Sequence, residues 1–197
     1  MLTTKNVRAR GRPRKFDPEE AVATACSLFH ARGYDGVSVS DLTKALGINP
    51  PSFYAAFGSK AGLYARVLDL YATAGAIPLA DILRPERSMA EALTAVFEEA
   101  AHRYSADPEA AGCLVIEGSR CVDREARKAA DAFQVQARET IRAYIAARFP
   151  DEADQLADFV GTVLAGLSAE ARNGHALERL LATARLAGSA VEQAVRA

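Results

Sequence analysis

The stretch Ser38–Lys60, SVSDLTKALGINPPSFYAAFGSK, constrains the chain more than any other, because its residues prescribe two short helices and the turn between them. Ser38 is a good N-cap, and Asp41, three residues on, stands where the positive end of the helix dipole favours an acid. Val39, Leu42, Ala45 and Leu46 recur at helical spacing and make one apolar face. Gly47 follows them and can adopt the positive φ that ends a helix. Asn49 is a second N-cap, Pro50 occupies the first helical position, and Pro51 is tolerated in the same turn. Phe53 and Phe57, four apart, form the inner face of the second helix, and Ile48 closes the small core between the two.

Two helices this short cannot bury enough surface alone. The missing third side comes from a helix opened by Asp17-Pro18-Glu19-Glu20, striped by Val22, Ala25, Cys26 and Phe29, and ended by Gly33. The second helix of the pair leaves Asn49, Pro50, Ser52, Tyr54, Ala55 and Ala56 outward, with no acid among them. Such a surface suits the DNA major groove, which admits one helix and presents donors, acceptors and thymine methyls. An ordinary helical hairpin inside a larger bundle has the same spacing, so the pattern alone leaves both readings open.

Charge favours the first. The net charge of −1 conceals nine Lys/Arg against five Asp/Glu in residues 1–60, a balance of +4, and fifteen against twenty in the remainder, a balance of −5. A basic end on an acidic body points one part of the chain at an anionic partner. Residues 1–15 read as a basic arm with Arg10, Arg12, Arg14 and Lys15 and no acid, broken by Gly11 and Pro13. Arg10-Gly11-Arg12-Pro13 resembles the core of an AT-hook, which lies in a narrow minor groove.

The remaining sequence reads as helix throughout, with no strand and no repeat. A helix capped by Ser59 runs from Lys60 to about Gly75, and Ile77–Ser88 reads as a loop or broken helix. Met89–Tyr104 follows, and Asp107-Pro108 starts a short piece that includes Gly112–Ile116. Longer helices run from near Val122 to Arg148, from Glu152 to Arg172 and from Ala176 to Val195. Ala157, Gly161 and Ala165 lie four apart, a strip of small residues that lets a second helix approach closely. The uncharged run Phe159–Ala169 is too short to span a bilayer, and the N-terminus lacks the apolar segment of a signal peptide. Cys26, Cys113 and Cys121 are odd in number and form no C-x-x-C pair, as expected of a reduced cytoplasmic protein. Arg120 and Arg124 beside Cys121 favour its thiolate, whereas Cys113 lies in an apolar run. No nucleophile cluster, phosphate-binding glycine loop or metal-ligand spacing appears, so the chain reads as no enzyme, with no metal and no cofactor.

Lys15–Tyr64 resembles the N-terminal domain of TetR-type transcriptional regulators. The resemblance rests on Gly33-Tyr34, the Ser-Val-x-Asp-Leu opening at Ser38–Leu42 and the Ala-x-Gly-Ile turn at Ala45–Ile48. Ser52-Phe53-Tyr54 and the Phe-x-Ser-Lys of Phe57–Lys60 complete it. It implies an all-α chain in which residues 16–60 bind DNA and residues 61–197 hold an effector and dimerise. It implies a ligand-responsive regulator, most often a repressor, that reads a palindromic operator in double-stranded DNA as a homodimer and is released by a small molecule.

The DNA-facing set is then Arg10, Arg12, Arg14, Lys15, Ser38, Lys44, Asn49, Pro50, Pro51, Ser52, Tyr54, Ala55 and Lys60. No Arg or Lys lies between Asn49 and Ala56, so bidentate guanine contacts are absent from this helix and affinity leans on the arm, Lys44 and Lys60. Effector candidates are Phe97, Tyr104, Cys113, Phe133 and Tyr144. The resemblance pairs the last two helices across a two-fold axis, through Ala157, Gly161, Leu164, Ala165, Leu177, Leu180, Leu181 and Ala184. It also implies an acid where Gly62 stands, so the fourth helix starts without a complete capping box and with a residue that costs up to about 1 kcal/mol. A helical enzyme with a basic arm and an architectural DNA-binding protein without a ligand are the competing classes.

Overall fold

The computed structural model describes residues 17–196, and among these every regular element is a helix. The first four are α1 (Pro18–Arg32), α2 (Val39–Leu46), α3 (Pro50–Phe57) and α4 (Lys60–Ala74). Their ends are made by the residues expected to make them. Asp17 accepts from the Glu19 amide at 2.9 Å, Asn49 from Ser52 at 2.8 Å and Ser59 from Gly62 at 2.9 Å. Ser38 and Asp41 form a complete capping box, and Gly47 ends α2 at φ 65°. The Ser38 hydroxyl, then its backbone N–H, holds the Asp41 carboxyl below the ordinary carboxylate range. Ser88 and Glu91 repeat this arrangement at α6 (Met89–Ser105).

The N-terminal unit closes around Ala25, Phe29, Val37, Leu42 and Phe53, all fully buried. Tyr64 of α4 enters the same cluster, edge-on to Phe29 at 5.1 Å and to Tyr34 at 4.9 Å, while Phe29 and Tyr34 stack at 5.6 Å. Each such ring contributes roughly 1.5–3 kcal/mol by burial and about 0.5–1.5 more by ring geometry. α4 thus belongs to two layers, with α1 on one side and α7 (Leu114–Gly118) and α8 (Arg124–Ala146) on the other. Its contact with α7 is close: a Cβ on Gly118 would stand 2.2 Å from the Tyr64 hydroxyl.

The body continues through α5 (Leu79–Ile82), α6, a 3-10 turn (Pro108–Ala110), α7, α8, α9 (Ala153–Arg172) and α10 (Leu177–Ala194). α10 lies along α6, and small residues are buried on both helices, Ala92 and Ala100 on α6 and Ala184 and Ala187 on α10. At Gly188 the approach tightens until a Cβ would meet Thr94 Oγ1 at 2.1 Å. Phe97 of α6 meets Phe159 of α9 edge-on at 6.4 Å. One buried cluster runs without a break from α1 to α10.

Three local expectations change. The piece after Asp107 is two pieces, because the backbone opens between Ala110 and Leu114 and turns at Gly112 with φ 81°. α8 starts later than Val122, since Asp123 caps it by accepting from Glu125 and Ala126 at 2.9 and 3.1 Å. Gly62 is a steric requirement: a Cβ there would stand 2.3 Å from the Phe57 carbonyl oxygen. Gly62→Glu is therefore expected to lower stability by roughly 1–3 kcal/mol instead of completing a cap. Urea unfolding with an unchanged or raised midpoint would contradict the packing described.

Candidate nucleic-acid interface and internal cavity

α3 turns Phe53 and Phe57 into the core and leaves Pro50, Pro51, Ser52, Tyr54 and Ala55 exposed, with Ala56 half-buried. Tyr54 is 51% exposed, its ring set edge-on against Phe53 at 5.5 Å, so a large aromatic is held out from the surface by packing at its base. The side-chain oxygen of Asn49 caps α3, which leaves its amide NH2 as the outward donor. The outer face of α3 carries no charged side chain.

Around α3 the expected contributors separate. Lys44 is exposed in the last turn of α2. The Ser38 hydroxyl is engaged in its cap, accepting from Asp41 N at 3.1 Å and donating to its carboxylate at 2.7 Å. Lys60 points inward: its ammonium donates to the Tyr34 and Val37 carbonyls at 2.9 and 2.8 Å and lies 3.9 Å from the Tyr34 ring centre. Desolvation holds its pKa below the ordinary lysine value. This corrects the expectation of a free phosphate-binding side chain at Lys60, because two of its three donors already close the loop between α1 and α2. Arg10, Arg12, Arg14 and Lys15 lie outside the described residues. Arg32, which sequence reasoning did not single out, donates to Gly36 O at 2.7 Å and approaches Asp41 at 3.4 Å, tying the end of α1 to α2.

Besides the packing of α4 on α1, hydrogen bonds join the N-terminal unit to the body at two places among the described residues. At one, the Tyr34 hydroxyl donates to Asp123 at 2.9 Å, and the Val122 amide donates to Asp35 at 2.9 Å. Burial, then the Asp123 carboxylate, pushes the Tyr34 phenol well above its ordinary range. At the other, His30 Nε2 faces Gly112 O at 3.1 Å and Arg172 donates to His30 O at 3.2 Å. A carbonyl only accepts, so Nε2 carries the proton, and burial holds the ring's pKa below the usual histidine value. These partners are 82 to 142 residues apart in the chain, and nothing local in the sequence announces them.

Inside the body a cavity of about 120 Å³ is lined by Tyr71, Ala72, Ala76, Ile77, Leu79, Tyr104, Cys113, Val115, Phe133, Ile141 and Leu164. Tyr104, Cys113 and Phe133 of the expected effector residues meet here, and two do not. Phe97 is fully buried core, and the Tyr144 hydroxyl donates to Arg84 O and Arg87 O at 3.0 and 3.3 Å, clamping the loop before α6. Tyr71, absent from the expected set, completes the polar wall. Both phenols lie against the Cys113 thiol, and burial raises the pKa of each. Cys121 departs from expectation: burial, then Asp35 and Asp123, raises its thiol pKa, and neither flanking arginine offsets them.

The expected dimer residues also separate. Ala157 of α9 and Leu180 and Ala184 of α10 are buried in the core of the single chain, where α10 packs on α6 and α9. Gly161 is exposed with open space before it, and Leu164, Ala165, Leu177 and Leu181 are half-buried. Among the described residues no trio of His, Cys, Asp or Glu gathers for a metal, and no helix is long and apolar enough to cross a membrane.

Residues 21–67 match the pattern of bacterial regulatory proteins of the tetR family. Across almost its whole length the chain is similar to the HTH-type transcriptional repressor BdcR of Escherichia coli (strain K12), 53% identical over 98% of both chains. It is 30% identical to the HTH-type transcriptional repressor ComR of the same organism over 88% of both. Among solved structures it resembles a cysteine mutant of the TetR family transcriptional regulator CifR, complexed with 26-base-pair operator DNA. The TM-score is 0.77 and the identity 35%, covering 91% of this chain and 99% of that one.

The position of Lys60 makes a separable prediction. Lys60→Met should lower stability by roughly 1–3 kcal/mol, the cost of carbonyls left without a charged donor. In DNA-binding titrations across salt, the slope of log affinity should stay within experimental error of the parent. A phosphate-binding lysine would reduce that slope by about 0.9.

Proposed function

The chain belongs to the tetR family of bacterial regulatory proteins, and on that premise we propose that it is a transcriptional repressor that binds a palindromic operator as a dimer and is released by a small molecule. The carrying observation is the outer face of α3: a helix of the matched family pattern, rigidly capped, exposing donors, a tyrosine and methyl-sized groups with no charge. Its work is binding, and we assign it no catalytic step. We place it in the cytoplasm, with its DNA.

Residues 16–60 act as the reader. Asn49, Ser52 and Tyr54 offer hydrogen bonds to base edges, while Pro50, Pro51 and Ala55 offer apolar contact to thymine methyls. The half-sites are accordingly expected to be A·T-rich where α3 enters. Lys44, with Arg10, Arg12, Arg14 and Lys15 of the arm, supplies phosphate contacts that position without specifying. Ser38 acts through its cap, by fixing the angle of α2. Two such units set about 34–36 Å apart by a dimer match successive turns of the duplex. Residues 61–197 supply that dimer through Gly161, Leu164, Ala165, Leu177 and Leu181, where α9 and α10 leave small and half-buried apolar groups.

The effector site is the cavity bounded by Tyr71, Tyr104, Cys113 and Phe133. Its wall is apolar apart from a thiol and two phenols whose pKa values burial raises. It therefore suits a small neutral molecule with one hydrogen-bond acceptor, since an ion would be stripped of water with no opposite charge to receive it.

Selection from random DNA tests the reading. The expected product is a palindrome bound at least about 10³-fold more tightly than random sequence. Ser52→Ala and Tyr54→Ala should each narrow that margin by roughly 1–3 kcal/mol, with little change on random DNA. Deleting residues 1–14 should weaken both alike. Recovery of no palindrome at moderate salt would sink the proposal.

A further inference from the structure

We propose that the segment Ala111–Cys113 is the link by which occupation of the cavity reaches the DNA-binding unit, with His30 of α1 as the residue that receives it. This rests on the reading above, in which the cavity holds the effector of a DNA-binding regulator.

The Cys113 side chain lines the cavity, and one residue earlier Gly112 O accepts from His30 Nε2 at 3.1 Å. Tyr104, a second wall residue, accepts from Gly112 N through its carbonyl at 2.8 Å. Tyr71, a third, sets its ring edge-on against the His30 ring, 5.5 Å between centres at 87°. All three polar wall residues are thus one contact from His30 or from the glycine that holds it. His30 lies in the last turn of α1, the helix that packs against α2 and α4.

The segment also has no room to absorb a push. On its other side Cys113 N donates to Ser168 Oγ of α9 at 2.9 Å, and Arg172 reaches past it to His30 O at 3.2 Å. At Gly112 the fit is close enough that a Cβ would stand 2.9 Å from both Arg172 Nε and Ser168 Oγ, with φ at 81°. A ligand that displaces Cys113 cannot drive Gly112 into α9, so the displacement is taken up at the bond to His30. The second junction behaves differently. Tyr34 and Asp123 are four and ten residues beyond His30 and Cys113 in the chain, and neither lines the cavity. Loosening His30 while Tyr34 stays anchored turns the unit about Tyr34, which changes the distance between the two readers of a dimer. Only a ligand that prefers the loosened arrangement shifts the balance.

A double-mutant cycle on the full chain tests this, with a lining substitution as the probe. Ala76→Leu adds bulk at the cavity wall and stands in for a ligand. Affinity for the selected palindrome is measured for the parent, Ala76→Leu, His30→Phe and the double variant, with circular dichroism and thermal melts confirming that each is folded. His30→Phe keeps a ring against Tyr71 and loses the donor to Gly112. The expected result is an operator affinity lowered about tenfold by Ala76→Leu in the parent, and by less than twofold in the His30→Phe background. His30→Gln, whose amide can still donate to Gly112 O, should retain the tenfold effect. His30→Leu serves as the second donor-free variant if His30→Phe does not fold. A tenfold loss that persists without the donor overturns the link while leaving the cavity reading intact. If the parent binds the palindrome and Ala76→Leu changes nothing, the cavity reading falls and the link with it.

Discussion

The ring cluster of Phe29, Tyr34 and Tyr64 is the contact on which the rest of the molecule depends, because it ties α1 and the turn after it to α4. Phe29 comes from α1, Tyr34 from the turn after it and Tyr64 from the start of α4. Lys60 closes the cluster from outside by covering the Tyr34 ring and holding the Tyr34 and Val37 carbonyls. Tyr34 passes the load on to Asp123, the cap of α8. A buried phenol needs a partner for its hydroxyl, and supplying that partner from another helix turns a packing contact into a fixed joint. The angle at which α3 is presented is therefore set by contacts behind it, from the ring cluster to Asp123 of the body.

Glycine positions carry much of the remaining geometry. Gly62, Gly118 and Gly188 each stand where a Cβ would lie closer than 2.4 Å to a neighbouring oxygen, on Phe57, Tyr64 and Thr94 respectively. The two contacts at Tyr64 and Thr94 lock α4 to α7 and α6 to α10. Close approach replaces large side chains there, which accounts for an alanine-rich body with a dense interior. The cavity persists where this packing gives way, between phenols and a thiol that point at one another across α4, α6 and the segment before α7.

The division of labour in DNA binding follows from the same economy of charge. In the proposed reading, α3 without Arg or Lys discriminates through hydrogen bonds and methyl contacts, each modest, and gains little from the phosphate field. Lys60 is not available to make up the difference, since its ammonium already holds two carbonyls. Lys44 stays exposed in the last turn of α2, and Arg66 of α4 is exposed 5.4 Å from the ring centre of Phe57.

Local chemistry made much of this legible in advance. The caps at Asp17, Ser38, Asn49 and Ser59, the stops at Gly33 and Gly47, and the inward faces of Phe29, Phe53 and Phe57 depend on neighbours within one helical turn. That range is what a sequence displays. The resemblance of Ser38–Lys60 to a known reader came from the same short range. Tertiary structure decided everything that needed partners far apart in the chain: the inward turn of Lys60, the joint between Tyr34 and Asp123, and the bond from His30 to Gly112. It also decided that Leu180 and Ala184 belong to the core of one chain, because apolar spacing shows that a helix face is buried but not against which neighbour. Tyr71 was hidden for the same reason: helical spacing can show that a residue faces inward, and only the convergence of three elements makes inward mean the wall of a cavity.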